Sequence, residues 1–591
     1  MASNGGNQAR QAKPAPAGDE QGAALRALRG VLVAVISFSG VINLLALTGS
    51  LFMLQVYDRV LTSRSIPTLV ALCAIALGLY AVQGVLEVIR SRLLVRLGAR
   101  VDEHLAGPVF RALVKLPLRG INGGQGLAPM RDLDTVRTFL SSQGPAALAD
   151  LPWIPIYIAF VFLLHPLLGW ATVAGALVLV VLTIVTEFRS RESARAAAGQ
   201  ATQRFALAES ARRNAEVVTA MGFAHRLERQ WLASNDRYLA THEQASDVSG
   251  GLGAVARIFR LMLQSAILAL GAWLTIRGEV SAGVIIASSI ASARALAPVD
   301  QSIANWKGFS AARQSWGKIR EVLAGVGGDG EPMPLPAPEK ELAVEALFVA
   351  PPGQMKPVIQ NITMTIPAGS GLAIIGPSAS GKSTLVRALA GVWPATRGEV
   401  RLDGASIDHW SREALGQHVG YLPQDIELFD GTVAQNISRF AETTEAEAVV
   451  AAARAAGVHE MVLRLSDGYD TRLGEGGATL SAGQRQRLGL ARALYGDPFL
   501  VILDEPNAHL DAHGEAALVA AIQNARARGA IVILVAHRPS VLAAVDLVAV
   551  IANGALQSFG PRDKVLSKHL RQTNTGSGNT SPAAQLTGAE G

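Results

Sequence analysis

Val31 to Tyr57 contains no charged residue, and that constrains the fold more than any other feature of the chain. About 20 apolar residues suffice to cross the hydrocarbon of a bilayer as a helix. Ser65 to Leu86 is a second uncharged run, and the link Asp58 to Arg64 is short, so the two are expected to form a helical hairpin. Leu151 to Thr186 is a third, interrupted by His165-Pro166. Proline breaks helices, so this run reads as two spans joined at a polar turn, the first starting near Gly144. His165 is then a turn residue at the membrane surface rather than a ligand. Leu261 to Ile276 and Val280 to Ala293 complete the set, joined by Arg277-Gly278-Glu279. Arg294 follows the sixth run directly. The favoured expectation is a helix end near the interface, from which the long side chain snorkels; the other reading has Arg294 facing a polar pathway between helices.

Charge gives the orientation. Arg90 to Arg137 and Arg189 to Arg257 are rich in arginine, and Arg10, Lys13, Arg26 and Arg29 add to the N-terminal segment, whereas the links at 58–64, 165–166 and 277–279 are short and carry few charges. The positive-inside rule makes the long basic segments and both termini cytoplasmic. This accounts for most of the net charge of +6 without any nucleic-acid partner. The single cysteine, Cys73, lies in an apolar run and is expected to be a buried, inert thiol.

Val85 to Leu116 and Glu187 to Tyr238 have helical periodicity and read as helices running past the membrane, interrupted around Gly120 to Gly126 and at Gly222. Pro129 to Arg137 and Ala211 to Gly222 are candidate turns for passing motion to the spans. Beyond the Gly/Pro/acid-rich segment 325–338, short β-rich runs alternate with helical segments, the pattern of an α/β nucleotide-binding domain.

That domain opens with Gly376-Pro377-Ser378-Ala379-Ser380-Gly381-Lys382-Ser383, which fits G-x-x-x-x-G-K-[ST] between an apolar strand (Leu372 to Ile375) and a helix starting near Thr384. Backbone N–H groups of such a loop close on phosphate oxygens at a helix N-terminus. Lys382 would reach the β- and γ-phosphates, and Ser383 would hold Mg²⁺. Phe499 to Leu503 is an apolar strand ending in Asp504-Glu505. Asp504 would support Mg²⁺ and Glu505 would polarise water. Leu480-Ser481-Ala482-Gly483-Gln484 opens another helix, so Ser481 marks a second anion site. One phosphate loop with two anion sites makes sense if the second serves the nucleotide of another copy.

In this order the motifs resemble an ATP-binding cassette (ABC) transporter. Leu480 to Gln484 resembles the family signature LSGGQ, with Ala482 for the first glycine. The resemblance implies that Gln424, in Leu422-Pro423-Gln424-Asp425, senses Mg²⁺ and the membrane domain, that His537 is the switch histidine near the γ-phosphate, and that Asp511 ends the D-loop. Gly474-Glu475-Gly476-Gly477 is similar to the exporter-type segment before the signature. Tyr421 to Thr432, Glu505-Pro506-Asn507 and Arg294-Ala295-Leu296-Ala297-Pro298 resemble the type I secretion ATPases, notably the protease and lipase exporters. Where the family places an aromatic residue to stack on adenine, this chain has Pro351, with Phe348 out of register.

The implied fold is a membrane α-helical six-span bundle, the type I ABC exporter fold, followed by an α/β P-loop ATP-binding cassette. The expected boundaries are a disordered cytoplasmic tail (1–25), a transmembrane domain (26–324, spans about 31–57, 65–89, 145–164, 167–187, 258–276 and 280–303), a linker (325–340), a nucleotide-binding domain (341–570) and a second disordered tail (571–591). The implied activity is ATP hydrolysis driving export of a protein with a C-terminal signal across the bacterial inner membrane. Each ATP and Mg²⁺ would sit between the phosphate loop of one chain and Ser481 and Gly483 of the other in a homodimer. Glu505 and His537 would be catalytic. The loop residues Gly376 to Ser383 with Thr384, Gln424, Ser481, Gly483, Gln484 and Asp511 would bind nucleotide, and Ser383, Gln424 and Asp504 would hold metal. The implied partners are a periplasmic adaptor, an outer-membrane channel and membrane lipid. The alternative reading is an exporter of lipid, peptide or drug without an outer-membrane partner.

Overall fold

A computed structural model describes residues 17–120, 126–326, 335–477, 479–536 and 538–568. Most of both expected tails, the centre of the linker and His537 lie outside the described residues. The chain forms two compact units, one helical and one mixed α/β.

In the helical unit six helical stretches are long and apolar enough to cross a membrane, among the described residues. α1 (Ala17–Leu45) begins inside the segment expected to be a tail. Ala17, Ala23, Ala24 and Leu25 are strong helix formers. After a break at Ala46-Leu47 come α2 (Thr48–Gln55), a π-helical turn (Val56–Val60) and α3 (Leu61–Ser63), so the first span continues past Tyr57. Arg64 ends it in the left-handed region at φ 51. Ser65 then caps α4 (Ile66–Lys115), its hydroxyl accepting from the Thr68 N–H.

α4 has 50 residues, about 75 Å of helix, far more than a hydrocarbon layer of about 30 Å requires. α5 (Ala128–Leu140) and α6 (Gly144–Asp150) follow. Pro129 to Arg137, expected as a turn, lies inside α5. Proline is tolerated in a first helical turn, and Leu133 and Val136 are buried with Val101, Leu105 and Val109 of α4. α7 (Ile154–Leu164) and α8 (Pro166–Arg213) meet at His165, which is extended and accepts the Leu167 N–H at Nδ1, 3.2 Å. α9 (Ala215–Ala220) leads through Gly222 (φ 65) to α10 (Ala224–Ile276), which packs along α8.

α11 (Ala282–Val326) contains Pro298 and runs on well beyond Arg294. The expectation that the sixth helix ends near Arg294 is therefore corrected. Cys73 is exposed on the helical unit instead of buried, in a helix whose most apolar stretch is itself almost wholly exposed rather than part of the core. One polar network does cross the interior. Asn43 Nδ2 donates to Asp150 Oδ1 (2.9 Å), Arg90 Nη1 donates to the same oxygen (2.9 Å) and to Ser39 Oγ (3.0 Å), and the Tyr157 hydroxyl donates to Asn43 Oδ1 (2.9 Å).

The second unit contains two sheets. β1 (Glu341–Val349), β2 (Ile359–Pro367), β4 (Arg397–Leu402) and β5 (Ala405–Ser406) form an antiparallel sheet in the order β2-β1-β4-β5. The other sheet has the order β10-β9-β3-β8-β7-β6, built from β3 (Gly371–Ile375), β6 (Val419–Leu422), β7 (Leu500–Asp504), β8 (Ile531–Val535), β9 (Leu547–Ala552) and β10 (Ala555–Pro561). Its first five strands from β6 to β9 are parallel, and β10 is antiparallel. β7 and β8 are buried throughout, which is why they read as unbroken apolar runs. Helices α12 (Lys382–Leu389), α13 (Arg412–His418), α14 (Val433–Ile437), α15 (Ala446–Ala455), α16 (His459–Leu463), α17 (Ala482–Leu494), α18 (Ala512–Ala527) and α19 (Pro539–Leu542) complete the unit.

Candidate functional site

In a parallel sheet, ligands bind outside the carboxyl ends of the strands. The chain places its phosphate loop after β3, its acid pair at the end of β7 and Gln424 after β6, all at that edge. Two glycines make the loop possible. Gly376 (φ 154) leaves no room for a Cβ, which would lie 2.0 Å from the Ile551 carbonyl. Gly381 (φ 98) caps α12, where a Cβ would meet Ile359 at 2.8 Å. The Lys382 side chain folds over the loop, and Nζ donates to the carbonyls of Gly376 (2.9 Å) and Pro377 (2.8 Å). Ser378 and Ala379 are exposed at the loop tip, while Ser383 and Thr384 lie half-buried in the first turn of α12.

Asp504, at the end of β7, is completely buried. The Ser383 hydroxyl donates to its Oδ1 at 3.4 Å. Its Oδ2 and the Ser380 hydroxyl are buried without a hydrogen-bond partner among the described residues. Burial pushes the Asp504 carboxyl above the usual carboxylate range; the Ser383 hydrogen bond pulls it down, and neighbouring Glu505 raises it again. An unsatisfied buried carboxylate oxygen beside a hydroxyl suits a hard cation that takes oxygen ligands, such as Mg²⁺. Glu505 adopts a left-handed backbone (φ 50), uncommon for a residue with a Cβ, and the chain turns there out of the sheet. Gln424 Nε2 donates to Glu505 Oε2 at 3.3 Å.

The signature segment is built separately. α12 packs on β1, β7 and β8, whereas α17 packs on α14, α15 and β6. Ser481 and Gln484 form a capping box: Ser481 Oγ accepts the Gln484 N–H (3.3 Å), and Gln484 Oε1 accepts the Ser481 N–H (2.8 Å). Ser481 is exposed. A Cβ on Gly483 would lie 2.8 Å from the His509 carbonyl, so glycine permits the close approach of α17 to the loop after Glu505. Asp511 caps α18, its Oδ1 accepting the Gly514 N–H at 2.7 Å. The phosphate loop, Asp504, Glu505 and Gln424 thus share one sheet edge, and Ser481, Gly483, Gln484 and Asp511 serve helix starts elsewhere.

Sequence reasoning missed two supports. Gln486 is buried, and its Nε2 donates to the Pro506 carbonyl at 2.9 Å, holding α17 to the segment after Glu505. Arg439 donates to five carbonyls: Gly416, Val419, Arg492, Ala493 and Tyr495. Its guanidinium ties the end of α17 to the start of β6. The available signal for Arg439 was a lone basic residue beside Phe440 in an otherwise acidic stretch.

The ABC transporter family matches residues 359–508, and the ABC transporter transmembrane region matches residues 32–296. The type I secretion system ATP-binding protein PrsD of Rhizobium meliloti is 54% identical over 93% of this chain and 94% of its own length. The cyclolysin secretion/processing ATP-binding protein CyaB of Bordetella pertussis is 28% identical over 91% of this chain and 76% of its own. The leukotoxin translocation ATP-binding protein LktB of Mannheimia glucosida is also 28% identical, over 91% of this chain and 76% of its own. In fold the chain is similar to a bacterial Atm1-family ABC exporter with ATP bound, with a TM-score of 0.80 at 22% identity, covering 94% of this chain and 99% of the other.

Proposed function

The chain belongs to the ABC transporter family, in its type I secretion branch, and we propose that it is the ATP-hydrolysing motor that exports a protein substrate from a bacterial cell. The observation that carries this is the 54% identity to a type I secretion ATP-binding protein over nearly the full length of both chains. The six long apolar helices make it a multi-pass membrane protein, and the arginine-rich segments between spans favour an inner-membrane protein with both termini cytoplasmic.

The phosphate loop binds the β- and γ-phosphates through backbone N–H groups and Lys382, which exchanges its bonds to Gly376 and Pro377 for phosphate oxygens. Ser383 and Asp504 would hold Mg²⁺, with Gln424 near it; bound there, the ion neutralises charge on the phosphates. Glu505 orients the attacking water, and its bond from Gln424 reports the state of the site to the segment after β6. His537 is assigned the γ-phosphate. Ser481 and Gly483, on a helix that serves no phosphate loop in their own chain, close on the nucleotide of a second copy. What supports this role is that Ser481 is exposed at a helix start, where backbone N–H groups and the helix dipole favour an anion. The homodimer would work with a periplasmic adaptor and an outer-membrane channel, receiving a substrate with a C-terminal signal.

The test compares proteins released by cells with the wild-type chain, without it, and with Lys382→Ala. At least one protein should vanish from the medium in both deficient strains. An unchanged set of released proteins overturns the proposal.

A further inference from the structure

Asp58 lies in the π-helical turn Val56–Val60 of the first span. Such turns are rare in helices and concentrate at functional sites. The Asp58 side chain leaves its own helix for the start of α11. Its Oδ2 accepts the Ser281 hydroxyl at 2.6 Å, and its Oδ1 accepts the Gly283 N–H at 3.0 Å. A carboxylate at the N-terminus of a helix of 45 residues gains charge-assisted bonds and the favourable end of the dipole. Gly283 is what admits it, since a Cβ there would lie 2.6 Å from Asp58 Oδ1. The link before α11 also reaches the third short link, Glu279 Oε2 lying 3.5 Å from His165 Nε2.

The first span is tied at two levels, and the ties differ in what breaking them costs. Asn43 and Arg90 both bond Asp150, which is buried. Parting that set strands a buried charge, which is strongly unfavourable. Asp58 and Ser281 are exposed, so water takes over both groups as soon as they separate, and little is lost. The bundle is fastened firmly at Asp150 and releasably at Asp58.

We propose that the bond of Asp58 to the start of α11 is a releasable clasp, which holds the first and sixth spans together at the end of the short links and opens once in each transport cycle. Asp58 is thus a positioning residue for transport. It acts through α11 and touches neither nucleotide nor metal. This rests on the export reading, in which cargo leaves the bundle at the end of the short links.

The test uses the full chain in lipid nanodiscs, with Cys73→Ser removing the native thiol. Asp58→Cys with Ser281→Cys should oxidise to a bond within one chain. ATP turnover should then fall about tenfold, with nucleotide affinity near wild type, and reductant should restore it. In a Glu505→Gln background, ATP should slow that oxidation by opening the clasp. Asp58→Ala should raise basal turnover about threefold by removing the clasp from the cycle. Gly283→Ala should do the same by pushing Asp58 away, although alanine otherwise favours the helix; a merely structural contact would not produce that match. Wild-type turnover in the oxidised pair, cross-links only between copies, oxidation indifferent to ATP, or wild-type turnover in both alanine variants would each overturn the clasp. These measurements need no cargo. If the clasp responses appear but the proteins released by cells do not depend on the chain, the export reading alone falls; if release depends on the chain but the responses are missing, the clasp alone falls.

Discussion

The amide of Gln424 lies 3.3 Å from the carboxylate of Glu505, joining the segments that leave two neighbouring strands, β6 and β7. Glu505 thereby links the proposed hydrolytic centre to the segment proposed to signal to the membrane helices. Glu505→Gln keeps the shape and the bond partner but removes the charge that orients water. It should lower turnover at least about a hundredfold while nucleotide affinity stays near wild type. Single-turnover hydrolysis and equilibrium nucleotide binding check this; wild-type turnover would refute the assigned base.

Lys382 holds two loop carbonyls before any phosphate arrives. Lys382→Ala removes both the phosphate contact and that brace, so nucleotide affinity should fall by about a hundredfold, as expected for loss of a charge-assisted contact of about 3 kcal/mol. Fluorescent-nucleotide titration measures it, and unchanged affinity would contradict the assignment.

Arg439 donates to carbonyls at the end of α17 and around β6, four of the five bonds being part-buried. Arg439→Ala leaves the part-buried acceptors among them without this donor and should cost about 3 kcal/mol of cassette stability. Arg439→Lys cannot span the set and should recover only part. Denaturant midpoints of the three proteins decide the order.

Asp403 accepts the backbone N–H groups of Glu339, Lys340 and Glu341. Burial alone would raise its carboxyl, but the three donors outweigh it and hold it below the usual range. A depressed carboxyl stabilises the fold above its unfolded value and loses that contribution as pH falls through the folded value. Thermal midpoints below pH 4 should therefore drop more steeply in wild type than in Asp403→Asn, which should already be less stable at pH 7. Parallel pH profiles would count against this.

The ring of Phe348 is overlain by Arg397, 5.9 Å from the ring centroid, and Pro351 offers no π-face at the position where the family places an aromatic. ATP and GTP should therefore turn over within about tenfold of each other. A larger preference for ATP would show that another group reads the base.

Features set by short stretches were legible in the sequence. Gly376 to Ser383 needs only its own glycines and a preceding strand, and the apolar runs announce spans by length alone. Features set by tertiary packing were not. Asp150, Asn43 and Arg90 look like unrelated polar residues until three helices bring them together. Cys73 reads as core because lipid and protein interior select the same apolar neighbours. The continuation of α11 past Arg294 was hidden because a charged residue follows a short apolar run directly, and the helix over Pro129 to Arg137 is defined by Leu133 and Val136 packing on α4, which the local sequence does not show.

The central claim is that ATP hydrolysis by this chain moves a protein across the membrane. Its most direct test uses inverted inner-membrane vesicles containing the wild-type chain or Glu505→Gln, supplied with a protein identified from the medium of wild-type cells. Wild-type vesicles should protect that protein from added protease only when ATP is present, and Glu505→Gln vesicles should not. Protection without ATP, or equal protection by both, would contradict the account.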